Sequence, residues 1–168
     1  IGLRLHLLAL MGSSVLLSQT QQLHSSVDIG SISEVRGNAQ VLRDKPYGAE
    51  LKFNIQQMDD VRTEAGRVAI TFEDDSTVKL TEHSKLVIDE YIYDPDPSKS
   101  KMALKFASGT ARFITGKFNN KSNISIKTPT ADIAIRGTDF TCTVDELGRS
   151  LVILLPDENG ISSGEIIV

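Results

Sequence analysis

The chain has 168 residues, of which 40% are hydrophobic and 24% charged, and its formal net charge is −4 at pH 7. This composition is that of an ordinary globular domain and excludes disorder throughout the chain. A slight acidic excess also argues against nucleic acid as the main partner, because surfaces that bind DNA or RNA normally show a basic excess.

Residues 1–26 form the first predicted segment, a leader and linker. Arg4 precedes an apolar run from Leu5 to Leu17, which is interrupted by His6 and by residues 12–14. The run is too short and too interrupted for a membrane-spanning helix, whereas a charged start with an apolar middle is typical of a secretory signal peptide. An amphipathic helix or an ordered arm is the alternative. We expect contact with a membrane only through this leader, and only if it is not cleaved.

Residues 27–168 are predicted to form one all-β domain. In many segments apolar and polar residues alternate, which is typical of half-buried strands, and turn residues such as "RGN" (36–38) and "DDS" (74–76) separate them. We expect about ten to twelve short strands, arranged as a rolled sandwich or a short β-solenoid. The final strand-like run also suggests a fragment whose last strands are missing at the carboxyl terminus. The predicted strands are 29–35, 39–43, 67–73, 77–81, 85–93, 103–107, 110–115, 123–127, 131–136, 140–145, 150–155 and 165–168.

Candidate catalytic and ligand-binding residues are few. His83 lies in a turn between two strands, and no Ser or Cys lies in a nucleophile-elbow context. Cys142 alternates with apolar Phe140 and Val144, so it is interpreted as a core residue. No His/Cys cluster has zinc spacing, and no glycine loop could cradle a phosphate. We therefore expect no catalytic residue, no cofactor and no metal.

The segment "IKTPTADIAIRGTDFTCTV" (residues 126–144) is the most specific part of the sequence. One corner is formed by Thr128 and Pro129, and a second by Arg136, Gly137 and Thr138, just before the strand that begins at Phe140. Gly137 is expected to supply a positive φ or a close approach of the backbone. Arg136 is expected on the face opposite the neighbouring isoleucines. A structural clasp is favoured over a ligand site at this corner.

This segment resembles the FecR domain family, in which a strand ends in Thr-Pro and Arg-Gly-Thr precedes an apolar aromatic residue. The resemblance extends to residues 31–43, 58–88 and 108–116, and Asp75 stands where the family's hairpin usually has glycine. It implies an exported, non-enzymatic β-rich module whose signature residues are Thr128, Pro129, Arg136, Gly137, Thr138 and Phe140. The family's named member senses an outer-membrane iron–siderophore receptor and controls a sigma factor.

Two functions follow as expectations. The first is a protein- or ligand-binding and signalling module of the bacterial cell envelope, located in the periplasm or outside the cell. The second is a structural or assembly component, such as an exported surface or virion protein, that uses the module as a scaffold. The partner is expected to be an envelope protein or polymer. Its identity, the oligomeric state and any part in siderophore signalling stay open.

Overall fold

A computed structural model describes residues 26–118, 122–137, 139–156, 159–161 and 164–168. These residues form twelve β-strands and one short 3₁₀ turn, Pro97–Lys99. The predicted leader therefore lies outside the described residues, apart from Ser26, and so does Thr138. The strands are β1 (Asp28–Leu42), β2 (Pro46–Gly48), β3 (Asn54–Gln56), β4 (Asp60–Phe72), β5 (Thr77–Leu80), β6 (Lys85–Ile92), β7 (Lys101–Ile114), β8 (Asn123–Lys127), β9 (Asp132–Arg136), β10 (Phe140–Val144), β11 (Ser150–Leu154) and β12 (Glu165–Ile167).

All twelve strands belong to one sheet, with the order β12-β9-β8-β7-β5-β4-β1-β2 along its main path. Strand pairs are antiparallel except for β7 and β8, which run parallel. Both β5 and β6 pair with β4 on one side and β7 on the other, so these four strands form a closed circuit of pairings. The second half of β7 also pairs with β10, which carries β11 at its outer edge.

The long strands bend so that the sheet covers one core from two sides. In β4 the buried positions are Val61 and Thr63, and then the alternation changes phase to Val68 and Ile70. In β7 the buried positions change phase in the same way between residues 106 and 111. A change of phase reverses the face that a strand presents. Side chains from both halves join one apolar cluster, so the sheet rolls around a single core, with a small barrel where β4, β5, β6 and β7 pair in a closed circuit.

We call the two halves the first and second arms. The first arm contains β6, β8, β9 and β12 with the first halves of β4 and β7. The second arm contains β5, β10 and β11 with the second halves of β4 and β7. Strand β1, which carries β2 and β3, pairs along both halves of β4 and so spans both arms. This description follows from which half of each long strand pairs with which short strand.

Buried hydroxyl groups hold the sheet together where the arms meet. Thr63 Oγ1 donates to the carbonyl of Thr81 at 2.6 Å and accepts from the amide of Ser84 at 2.9 Å. The Ser84 hydroxyl in turn accepts from the amide of Thr110 at 3.2 Å. Buried backbone groups need partners, and here side chains provide them where the ladder is interrupted. These hydrogen bonds therefore fix the bend in β4, in the β5–β6 turn and in β7 at once.

The predicted all-β class and strand number are confirmed, and several boundaries are corrected. The predicted strands 29–35 and 39–43 form one strand, β1, and the predicted strands 103–107 and 110–115 form β7. The predicted turn at 36–38 is wrong, because Gly37 lies inside β1 opposite Gly66, where the register shifts. A bulge bends a strand without ending it, and its sequence has the same glycine signal as a turn. The short strands β2 and β3 were not predicted.

Candidate functional site

The Thr-Pro corner is a turn between β8 and β9, and its hydroxyl groups are hydrogen bonded. Thr128 is buried, and its Oγ1 accepts from the amide of Ala131 at 3.0 Å and from the hydroxyl of Ser150 at 2.6 Å. Thr130 Oγ1 donates to the carbonyl of Gly148 at 2.7 Å. Because Ser150 and Gly148 belong to the β10–β11 hairpin, this corner joins the first arm to the second.

Pro129 contributes to the same junction by packing rather than by hydrogen bonding. A β-carbon built at Gly148 would lie 3.1 Å from Cβ of Pro129, and Gly148 has a φ of 78°. Both the close approach and the left-handed backbone favour glycine at that position. The Thr-Pro corner and the hairpin turn are therefore fitted to one another.

The Arg-Gly corner lies at the other end of β9. Gly137 has a φ of 80°, which is the positive value expected of a corner glycine. Beyond it, Asp139 Oδ1 accepts from the amide of Thr115 at 3.0 Å and so ties the start of β10 to the end of β7. The next residue, Phe140, is fully buried and stacks on Phe113 with ring centroids 4.4 Å apart. At this corner the chain passes from β9 of the first arm to β10 of the second, where the side chain of Phe140 enters the core.

Arg136 is a signature residue with an exposed side chain. It lies at the end of β9, opposite Glu165 of β12 in the strand register. Within the described part of the chain, its guanidinium takes part in none of the side-chain hydrogen bonds or ion pairs. The contacts that hold this corner in place come from Gly137, Asp139 and Phe140. A structural role for Arg136 itself stays a prediction.

The signature residues are thus brought together in two groups. Thr128 and Pro129 lie at one end of β9, whereas Arg136 and Gly137 lie at the other, with Phe140 in the core next to them. Five extended residues separate the ends by about 15 Å. Thr138 lies outside the described residues. Among the described residues, the signature positions therefore connect two arms of the sheet and lie in two separate groups.

Two buried carboxylates were not recognised as important from the sequence. The first is Asp59, whose oxygens accept from the Arg43 guanidinium through Nε and Nη2, each at 2.7 Å, and from the amide of Gln56 at 2.8 Å. Its side chain is fully buried, while that of Arg43 is 30% exposed. Hydrogen bonding to Asp59 raises the pKa of Arg43 above its ordinary value. The sequence feature that could have pointed to Asp59 is its place just before a strand in the block 58–88, which resembles the family.

The second buried carboxylate is Asp74, in the predicted "DDS" turn. Its Oδ1 accepts from the hydroxyl of Tyr91 at 2.7 Å, and its Oδ2 accepts from the hydroxyl of Ser76. Burial and the hydrogen bond to Asp74 raise the pKa of the Tyr91 phenol above its usual range. The Ser76 hydroxyl also accepts from the amide of Gly116 at 2.9 Å. Through Tyr91 and Ser76, Asp74 therefore connects the β4–β5 turn to the ends of β6 and β7, which is a structural role.

The candidate nucleophile and base do not form a catalytic pair. Cys142 is fully buried, and burial raises the pKa of its thiol to about 11. A thiol in that environment is protonated at neutral pH, whereas reactive cysteines have a lowered pKa. His83 is exposed in the turn between β5 and β6, with a φ of 54°. The described residues contain no group of three or more His, Cys, Asp or Glu side chains placed to hold a metal ion.

The comparisons with known proteins identify the family. The family model described as "FecR protein" matches residues 59–156, which include both corners and the two buried carboxylates. The chain therefore belongs to the FecR family, which is a regulatory and signalling family associated with the cell envelope and not a known enzyme family. No curated protein and no solved structure matches the chain. In the described part of the chain, no helix has the length and apolar character needed to span a membrane.

Proposed function

We propose that this protein is a non-enzymatic binding and signalling module of the bacterial cell envelope, located in the periplasm or secreted. The observation that carries the proposal is the FecR match over residues 59–156, which covers most of the described sheet. Family membership supports a regulatory role, and the apolar leader predicted over residues 1–26 supports export. The proposed partner is an envelope protein or polymer.

The distribution of polar groups in the core supports a binding role rather than catalysis. The buried carboxylates of Asp59 and Asp74 accept hydrogen bonds from Arg43, Tyr91 and Ser76. An active site normally holds titratable groups in a cleft where substrate reaches them. Here these groups stabilise turns, and the outer surface of the sheet is left for contact with a partner.

Localisation and binding can be tested together with the complete gene product. Cells that express it with a carboxyl-terminal tag are separated into cytoplasmic, periplasmic, membrane and medium fractions. We expect the protein in the periplasm or medium, and we expect cross-linked envelope proteins to be recovered with it in a fixed ratio. Recovery of the protein in the cytoplasmic fraction would contradict the proposed location in the periplasm or outside the cell.

The same experiment separates signalling from the alternative scaffold function. A structural or assembly component would be recovered as large homo-oligomers or as a stoichiometric part of a surface assembly or virion. A signalling module would instead be recovered with a distinct partner, and deletion of its gene would change transcription of target genes. Recovery of homo-oligomers alone, without a transcriptional change, would contradict the proposal.

A further inference from the structure

The outer face of the second arm carries a group of basic side chains. Lys79 of β5 lies directly opposite Arg112 of β7, and Arg67 lies on the same face of β4, two residues from Ala69, the partner of Lys79. All three basic side chains are exposed. They line a groove of about 320 Å³ whose floor includes Ala69. We call Arg67, Lys79 and Arg112 the cationic face.

The cationic face has no carboxylate partners among the described residues. The ion pairs in that part of the chain involve other basic side chains. Glu34, which also lines the groove and lies opposite Ala69, pairs with Arg36 at 3.6 Å. Like charges directly opposite each other on neighbouring strands destabilise a sheet. This repulsion occurs in a chain whose net charge is −4. Bound anionic groups would relieve it, so the charge of this face complements an acidic partner.

The surroundings of the cationic face favour carboxylates over phosphate or nucleic acid. Phosphate sites usually use free backbone amides at a helix start or a nest, whereas Lys79 and Arg112 lie within paired strands. Single-stranded nucleic acid stacks its bases on aromatic rings. The aromatic residues of these strands, Phe72, Phe106 and Phe113, are all buried, and Phe72 and Phe113 lie on the opposite face from Arg67 and Arg112. Guanidinium groups bind carboxylates well through two parallel hydrogen bonds.

Apolar side chains continue the same face towards the edge of the sheet. Across the strands, Arg112 is followed by Thr141 of β10 and then by Ile153 of β11. Ile153 is 50% exposed and Leu151 is 59% exposed. Strand spacing places Ile153 about 10 Å from Arg112. Apolar residues beside arginine are typical of the centre of a protein–protein interface.

The free edge of β11 distinguishes a protein partner from a lipid surface. Among the described residues β11 pairs with β10 alone, so its other edge presents backbone amides and carbonyls. An extended polypeptide can pair with such an edge through main-chain hydrogen bonds, whereas lipid headgroups offer no matching ladder of donors and acceptors. A protein segment therefore fits this face better than an anionic membrane does.

We propose that the cationic face, together with Leu151 and Ile153, binds an acidic segment of a partner protein. Carboxylates of the segment contact Lys79 and Arg112, and an apolar side chain about three residues further along the extended segment packs on Ile153. This inference rests on the proposed binding function and names the surface and the chemistry of the partner.

The test uses the isotopically labelled full chain and a synthetic peptide in which Glu-Glu is followed, three residues later, by Leu-Ile. We expect the peptide to shift backbone amide signals of β5, β7, β10 and β11. In the double variant Lys79→Glu, Arg112→Glu the dissociation constant should rise by about tenfold or more, because two favourable charge contacts become repulsive. The matched control is Lys85→Glu, which reverses an exposed lysine on β6 and should leave binding unchanged.

Further probes define the chemistry that is recognised. A peptide with Lys-Lys in place of Glu-Glu should not bind, and one with Ser-Ser in place of Leu-Ile should bind more weakly. The proposal would be overturned by absence of shifts on this face at millimolar peptide, or by equal binding to the double variant. If polygalacturonate or phosphatidylglycerol vesicles bound this face more tightly than the acidic peptide does, the proposal of a protein partner would be wrong.

The experiments distinguish failure of the cationic face as the binding surface from failure of the proposed cellular function. If the double variant still recovers the same envelope partner as the wild type, the cationic face is excluded and the binding function stands. If the wild type recovers no partner while the peptide binds as expected, the proposed cellular function fails and the assignment of the surface stands.

Discussion

Arg43 and Asp59 form a bidentate ion pair that joins the end of β1 to the turn before β4. Nε and Nη2 of Arg43 each lie 2.7 Å from a carboxylate oxygen of Asp59, whose side chain is fully buried. Arg43 Nη2 also donates to the carbonyl of Asn54 at 3.1 Å. The pair therefore connects three segments at one end of the sheet.

Removal of Arg43 should strongly destabilise the fold. Arg43→Ala leaves the buried carboxylate of Asp59 without its cation, and we expect the free energy of unfolding to fall by about 3 kcal/mol. Urea denaturation followed by circular dichroism measures the change. Arg62→Ala is the matched control, because Arg62 pairs with the partly exposed Asp60 and should cost less than about 1 kcal/mol. Equal losses in the two variants would contradict the structural role of Asp59.

The hydroxyl of Tyr91 should contribute to stability through Asp74. Tyr91→Phe keeps the ring, which stacks on Phe72, but removes one donor from the buried Asp74 carboxylate. We expect a loss of about 1–3 kcal/mol in the free energy of unfolding. Tyr93→Phe removes a hydroxyl from a partly exposed ring and should change stability by less than about 0.5 kcal/mol. Thermal unfolding of both variants would show whether only the buried hydroxyl matters.

Cys142 should make the fold sensitive to alkali. Burial raises its pKa to about 11, above the ordinary value of 9.0. A raised pKa gives a contribution to stability that is fully present below pH 9 and is lost as the pH rises through 11. Between pH 8 and 11 the wild type should therefore lose about 2 kcal/mol more than Cys142→Ala. Parallel pH dependences of the two proteins would contradict this expectation.

The two corners of β9 should respond differently to substitution. Thr128→Val removes a buried hydroxyl that binds Ala131 and Ser150, and we expect a loss of about 1–3 kcal/mol. Arg136→Ala removes an exposed side chain and should change stability by less than about 0.5 kcal/mol. Urea denaturation of both variants tests this difference. A larger loss for Arg136→Ala would show that Arg136 itself is the clasp.

The sequence predicted the strands well because alternation reports burial directly. Val68, Ile70 and Phe72, which alternate in the sequence, all face the core. Bends were harder to predict, since "RGN" at residues 36–38 has the composition of a turn and yet lies within β1. Whether a glycine ends a strand or bends it depends on the partner strand, here β4, and the local sequence contains no information about that partner.

The buried polar groups were missed for a related reason. Neighbouring aspartates point to opposite faces of a strand, so adjacency gave no sign that Asp59 and Asp74 are buried while Asp75 is exposed. Their partners Arg43 and Tyr91 are 16 and 17 residues away, and only the folded sheet brings them together. Asp75 is a partial exception, because its φ of 67° fits a position where the family usually has glycine.

The binding function is tested most directly by photocross-linking in the cell that makes the protein. A photoreactive amino acid replaces Thr141, between Arg112 and Ile153, in the complete gene product, and Lys85 is replaced in a control. We predict a covalent adduct with one envelope protein at position 141 that is absent at position 85 and is lost with Lys79→Glu, Arg112→Glu. Absence of a protein adduct at position 141, or the same adduct at both positions, would contradict the account.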